Sequence, residues 1–316
     1  MTYIWLLVGF VLLIKGADFF VSGSSSIARA LRVSPLLIGL TIVAFGTSSP
    51  EATVSILAAL DGSAGVAIGN VVGSNIFNIT LVVGITAMIA PLMVESETIR
   101  KEIPFTLLGS VVLFVLISDI QLQGADGNFI TRGDGFILLL FFAIFLYYIF
   151  EVARHGRKKE EEEAPAEIAW GKNILFTLLG LGGIIWGGDL VVGSATEIAF
   201  SFGMSETLVG LTIVAVGTSL PELITSITAA VKKESEIALG NIVGSNIFNI
   251  FFVLGTASVI SPLAVDPKIF TDALLMIVLT VTLLLFSRTK FKVDRVEGII
   301  LAIAYIGYMV YIIIRN

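Results

Sequence analysis

The chain has 316 residues, 56% of them hydrophobic and 14% charged, with a formal net charge of −6. A composition this apolar excludes a soluble globular protein of this size and points to an all-α polytopic membrane protein. Cysteine is absent, which excludes a disulfide framework, a thiolate metal site and a cysteine nucleophile.

Apolar runs of spanning length, separated by short polar breaks, predict about ten transmembrane helices. In chain order they cover roughly 3–25, 35–60, 64–90, 103–119, 133–152, 171–195, 206–231, 236–261, 269–287 and 296–314. The N-terminal run MTYIWLLVGF has no basic leader and continues into Lys15 and Asp18 without a cleavage signal. It is expected to be a retained first helix rather than a signal peptide. The one sizeable linker contains RHGRKKEEEEAPAE and reads as a charged, solvated connector.

The chain repeats itself. Residues 41–60 read TIVAFGTSSPEATVSILAAL and residues 212–231 read TIVAVGTSLPELITSITAAV; GNVVGSNIFNI at 69–79 returns as GNIVGSNIFNI at 240–250. The offset is constant, and roughly 30 of the 54 positions from 41 to 94 match those from 212 to 265. Gly9, Gly16 and Asp18 align with Gly180, Gly187 and Asp189 at the same offset. The expected organisation is a first five-helix repeat over 1–152, a charged cytoplasmic linker over 153–170, and a second repeat over 171–316. Five is odd, so the two repeats must be inverted in the membrane.

Orientation follows from the basic residues. With ten helices, Arg132, Lys268 and Arg315 fall on one side, and every other Lys and Arg outside the first helix falls on the other. This places the linker in the cytoplasm and both termini outside.

Each repeat carries one glutamate, Glu51 or Glu222, in an apolar, hydroxyl-rich stretch. A carboxylate inside a membrane helix is costly and by default marks a functional site. On a helix, Thr47, Ser48 and Glu51 share one face, as do Thr218, Ser219 and Glu222. Pro50 removes a backbone donor and clashes with the Gly46 carbonyl, so the helix should break there; Pro221 and Gly217 repeat the device. Ser74 with Asn78, and Ser245 with Asn249, are spaced four apart and supply neutral oxygens. Carboxylates, hydroxyls and freed carbonyls together reach the six to eight oxygens that Ca²⁺ accepts. With one histidine, His155, in the linker, soft-metal chemistry is disfavoured and hard ions such as Ca²⁺ and Na⁺ fit. Two ionised glutamates balance one Ca²⁺ or two Na⁺. A third Na⁺ would leave a net charge that feels the potential at about 2.3 kcal/mol per 100 mV.

Gly69/Gly73 and Gly240/Gly244 form small-residue faces for close helix approach. Asn70, Asn75, Asn241 and Asn246 are expected to bond helix backbones. Asp18 and Asp189 read as structural, with Lys15 three residues from Asp18 favouring a local pair or a helix–helix hydrogen bond.

At the GTSSPE, GTSLPE and GSNIFN phrases the chain resembles the cation/Ca²⁺ exchanger superfamily, in its prokaryotic Na⁺/Ca²⁺ exchanger-like branch. The resemblance covers nearly the whole chain. It implies ten helices in two inverted repeats, ions bound between the second, third, seventh and eighth helices, and long, tilted, mobile first and sixth helices. It implies that Glu51 and Glu222 bind Ca²⁺ and Na⁺. Thr47, Ser48, Thr218, Ser219, Ser74 and Ser245 contribute oxygens, Ala44 and Ala215 offer backbone carbonyls to Na⁺, and Asn78 and Asn249 occupy the centre. Several members carry aspartate where this chain has Asn249, so K⁺ dependence is not expected. The cytoplasmic regulatory domain of the eukaryotic exchangers has no room in the linker.

The expected function is therefore Ca²⁺ exchange for Na⁺ across the cell (inner) membrane, with no cofactor, no nucleic acid, no obligate protein partner and the lipid bilayer as surroundings. A Ca²⁺/H⁺ antiporter on the same scaffold is the alternative, since protonating two glutamates serves the same charge balance. An enzyme is disfavoured because HExxH and a Ser/His pair are absent. A channel is disfavoured because a duplicated, carboxylate-closed site argues for binding and exchange. No P-loop supports ATP drive.

Overall fold

The structure, a computed structural model, describes residues 1–159, 169–203 and 215–315. Among these, seven helices are long and apolar enough to cross a membrane, and a bent pair, Pro35–Thr47 with Ser49–Leu60, makes an eighth. Glu102–Leu116 and Leu220–Val231 are shorter helices of 15 and 12 residues. The helix expected over 206–231 is described only from Ala215, and linker residues 160–168 lie outside the described residues.

Burial sorts the helices by role. Within an apolar 18-residue stretch of each helix, 94% of the residues of Ser235–Ile260 and 72% of those of Ala64–Ile89 are buried, against 17% for Arg132–Arg154 and 22% for Arg295–Arg315. The first two, which carry the GSNIFN phrases, form the centre; the latter two present apolar side chains outward, as lipid-facing helices do. Each central helix relaxes into a π-helical stretch at the end of its phrase, Asn78–Val82 and Phe248–Leu254. Such widened turns recur at functional sites.

The longest elements are Thr2–Leu31 and Trp170–Ser201, of 30 and 32 residues. At about 1.5 Å per residue they exceed a hydrocarbon core of roughly 30 Å, so they must tilt or project. They pack antiparallel, because Gly9, Gly16 and Gly23 meet Val191, Ile184 and Thr177 in reverse order. A β-carbon on Gly16 would sit 2.7 Å from the Ile184 nitrogen and 2.9 Å from the Gly180 oxygen. Only glycine permits that backbone approach.

The first helix runs to Leu31 rather than stopping near residue 25. Ser24 and Ser25, near its end, are buried. Ser25 Oγ donates to Glu234 Oε1 (2.5 Å), and Arg29 lies 3.3 Å from the same oxygen. Asp18 pairs with Lys232 (2.7 Å), while Lys15 is exposed. Lys232 also donates to Ser22 Oγ (2.6 Å). The partner of Asp18 is thus on another helix, because the side of the first helix that carries Asp18 and Ser22 packs against the Leu220–Val231 end.

Two short antiparallel ribbons tie loops of the two sequence copies together: Leu92–Met93 pairs with Lys292–Val293, and Phe129–Ile130 pairs with Leu263–Ala264. The last helix starts with a reciprocal cap, in which Glu297 N–H donates to Asp294 Oδ1 (3.1 Å) and Asp294 N–H to Glu297 Oε2 (2.9 Å). The Glu297 N–H holds the Asp294 carboxyl below its ordinary value.

Candidate functional site

The GTSSPE segment breaks where the proline requires. Helix stops at Thr47 and resumes at Ser49, with a 49° bend. Pro50 sits in the first turn of the new segment, where its missing N–H costs nothing. Ser219 interrupts the second copy in the same way, between Ala215–Thr218 and Leu220–Val231. The breaks set Glu51 and Glu222 in first turns, where the positive end of the helix favours a carboxylate.

Both glutamates are 0% exposed. They are joined by a crossed network: Ser48 Oγ donates to Glu222 Oε1 (2.7 Å), and Ser219 Oγ donates to Glu51 Oε1 (2.9 Å). Each copy of the motif therefore supports the other copy's acid. Ser74 Oγ lies 3.1 Å from Ser219 Oγ. Thr47 Oγ1 donates to Asn241 Oδ1 (2.9 Å).

The asparagines hold the frame. Asn70 donates to the main-chain oxygen of Glu51 (3.1 Å) and to Ser55 Oγ (2.9 Å). Asn241 does the same to Glu222 (3.4 Å) and Ser226 (2.9 Å). Asn78 Nδ2 donates to Asn246 Oδ1 (3.1 Å), and Asn249 Nδ2 to Asn75 Oδ1 (3.2 Å). With their nitrogens occupied, Asn78 and Asn249 leave their oxygens over. Asn75 also donates to the Asn246 carbonyl (3.3 Å), stitching the two central helices together.

Five buried oxygens of the expected set have no hydrogen-bond partner among the described residues: Glu51 Oε2, Glu222 Oε2, Asn78 Oδ1, Asn249 Oδ1 and Ser245 Oγ. A buried polar atom left unpaired costs about 1–3 kcal/mol, and more if charged. These five therefore leave the buried centre rich in unpaired oxygens. No cluster of three or more His, Cys, Asp or Glu side chains stands among the described residues, so two carboxylates and neutral oxygens are what this region offers.

The structure places Glu51, Glu222, Ser48, Ser219, Ser74, Ser245, Asn78 and Asn249 in the buried centre. Thr47 is buried beside them, and Thr218 is half-buried on the Ala215–Thr218 turn. The Ala44 carbonyl already accepts from Ser48 N–H (3.0 Å) and Thr47 Oγ1 (3.3 Å). The surroundings of the Ala215 side chain lie outside the described residues. Gly240 packs as its spacing predicts, since a β-carbon added to it would sit 2.7 Å from the Leu36 oxygen. Among the described residues, nothing lies within 4 Å of a β-carbon added to Gly69 or Gly73. Sequence reasoning missed the Lys232 and Glu234 contacts to the first helix, because pairing across more than 200 positions leaves no local signal.

Fold and site together define a multi-span helical membrane protein with a carboxylate-bearing polar centre. Residues 1–151 and 172–314 match the family model for sodium/calcium exchanger protein. The chain is 43% identical over 315 residues to CaxA of Alkalimonas amylolytica, covering 96% of each. It is 33% identical over 340 residues to the sodium/calcium exchanger MaX1 of Methanosarcina acetivorans, covering 98% of this chain and 97% of that one. It superposes on the sodium-calcium exchanger NCX_Mj, soaked with 2.5 mM Na⁺ and 0.1 mM Ca²⁺, with a TM-score of 0.83 and 33% identity over 98% of this chain and 97% of that chain. The chain belongs to the sodium/calcium exchanger protein family.

Proposed function

We propose that this protein is a secondary antiporter that exchanges Ca²⁺ for Na⁺ across the cell (inner) membrane by alternating access. The observation that carries the reading is the set of five unpartnered buried oxygens around two crossed glutamates. Hard, oxygen-preferring cations fit such a set. Glu51 and Glu222 supply charge; Ser74, Ser245, Asn78 and Asn249 supply neutral oxygens; Thr47, Ser48, Thr218 and Ser219 position or replace them as ions enter. Ala44 and Ala215 give backbone oxygens only once a local rearrangement frees them. Ca²⁺ and Na⁺ share oxygens, so occupancy by one expels the other.

The architecture in this reading is ten spans in two inverted halves, 1–152 and 171–316, with the linker cytoplasmic and both termini outside. Relatives support the location, since Escherichia coli YrbG, an inner membrane protein, is 37% identical over 314 residues. The long first helix and Trp170–Ser201, joined along a glycine seam, form the moving unit. Here the contacts of Asp18, Ser22 and Ser25 with Lys232 and Glu234 tie that unit to the cytoplasmic end of the core.

The test is Ca²⁺ uptake by proteoliposomes loaded with Na⁺ and diluted into Na⁺-free medium, beside a matched pH-gradient control. Uptake should require internal Na⁺ and disappear in Glu51→Gln and Glu222→Gln. Uptake that ignores Na⁺ and follows the pH gradient would make this a Ca²⁺/H⁺ antiporter.

A further inference from the structure

Away from the buried centre, Ser96, Ile99, Arg100, Arg288 and Phe291 line a recess of about 130 Å³. Its two walls come from distant parts of the chain. Arg100 ends the short helix Ser96–Arg100, and Arg288 ends the spanning helix Lys268–Arg288. Both guanidiniums are exposed, and neither has a hydrogen bond or ion pair among the described residues. Two such arginines lining one small recess present several N–H donors with no acceptor among the described residues. Of the described acids near these residues in sequence, Glu95 contacts Glu236, Glu102 accepts from Tyr148, Glu297 accepts from Thr289 Oγ1 (2.8 Å), and Asp294 is held in the helix cap.

The recess is built rigidly. The Leu92–Met93 and Lys292–Val293 ribbon anchors both walls, with Leu92 and Val293 at 0% exposure. Val94 N–H donates to the Phe291 carbonyl (2.9 Å). Lys290 and Phe291 both adopt positive φ, 60° and 52°. Two adjacent non-glycine residues in the left-handed region are uncommon, and such strain gathers at ligand clamps. The strained turn sets Phe291 in the lining of the recess while leaving it 55% exposed. The recess lies at the end of a spanning helix, hence at headgroup depth, on the lysine- and arginine-rich side of the protein.

We infer that this recess is a binding site for the phosphate of an anionic phospholipid. Arg100 and Arg288 would grip the phosphate oxygens in charge-assisted hydrogen bonds, which guanidinium forks suit. Ser96 contributes a hydroxyl, and the exposed Phe291 side chain meets the glycerol and upper acyl chain. Basic pockets at this depth between spanning helices recognise lipid headgroups. A free phosphate offers the same oxygens but leaves the exposed Phe291 side chain uncovered. The site is independent of the exchange chemistry, so it stands or falls separately from the proposed antiport.

The experiment is native mass spectrometry of the purified full-length protein with phosphatidylglycerol or phosphatidylcholine of matched acyl chains. Wild type should retain phosphatidylglycerol about tenfold or more over phosphatidylcholine, and Arg100→Gln/Arg288→Gln should lose that preference. Lys172→Gln, on another helix, should keep it. The charge-retaining pair Arg100→Lys/Arg288→Lys should restore most of it, which separates lost binding from misfolding. Equal retention of the two lipids by wild type would overturn the proposal. So would a lysine pair no better than the glutamine pair. Displacement of phosphatidylglycerol by an excess of inorganic phosphate, with no preference between lipids, would assign the recess to free phosphate instead.

Discussion

Ser219 donates a 2.9 Å hydrogen bond to Oε1 of Glu51, across 168 positions of sequence and from one copy of the motif to the other. Its repeat-mate Ser48 does the same for Glu222 at 2.7 Å. Neither carboxylate is supported by the serine of its own motif, so the site exists only when both copies are folded together.

Removing one carboxylate should abolish exchange rather than halve it. Taking one charge from a buried, coupled set costs about 3–5 kcal/mol, which converts to a loss of Ca²⁺ affinity of roughly a hundredfold or more. Glu51→Gln and Glu222→Gln should therefore show no Ca²⁺ flux at Ca²⁺ levels that saturate wild type. Retained flux in either variant would remove that glutamate from the site.

Adding Ca²⁺ should raise the melting temperature of the wild-type protein, because a ligand of the native state stabilises it by about 2.7 kcal/mol at a hundred times its Kd. Glu51→Gln should melt at the same temperature with or without Ca²⁺. In ion-free buffer it should match or exceed wild type, since one buried charge has been removed.

Ser219→Ala and Ser48→Ala remove one charge-assisted hydrogen bond each, a contribution of about 1.5–3 kcal/mol. Ca²⁺ affinity measured by concentration-dependent uptake should fall by roughly ten- to a hundredfold in each. The two variants should fall by comparable factors, because the bonds are repeat-related. A large effect in only one would mean that the serines serve different ions.

Lys232 bridges the first helix to the core through Asp18 and Ser22. The pair is half-exposed, so its worth is about 0.2–1 kcal/mol, at most a several-fold shift in population. Lys232→Ala should speed amide hydrogen exchange across residues 18–31 by up to that factor, with Gly9 to Leu13 unchanged. Asp61 occupies the position of Lys232 in the other copy, so Asp61→Ala should leave those same amides undisturbed.

Gly240 has no room for a β-carbon, since the Leu36 oxygen and the Leu40 nitrogen would lie 2.7 and 2.9 Å from it. Both are backbone atoms and cannot rotate away. Gly240→Ala should therefore destabilise the protein by about 1–3 kcal/mol, read as a lowered melting temperature. An unchanged melting temperature would show that the two helices separate at little cost.

Much of this protein was legible in the linear chain. The membrane class follows from composition, because backbone in lipid must satisfy itself within helices. The motif repeat at a constant offset marked Glu51 and Glu222, since an acid in an apolar run is too costly to be incidental. Gly46 and Pro50 marked the helix break, because a missing N–H is a property of the residue itself. Tertiary structure alone decided which side chains meet. The crossing of Ser48 to Glu222, the exchange of hydrogen bonds among Asn75, Asn78, Asn246 and Asn249, and the extension of the first helix through SGSSS to reach Glu234 all join residues far apart in sequence. Helical periodicity specifies a face but not its neighbour. Which oxygens pair and which stay unpaired depends on how the two copies pack.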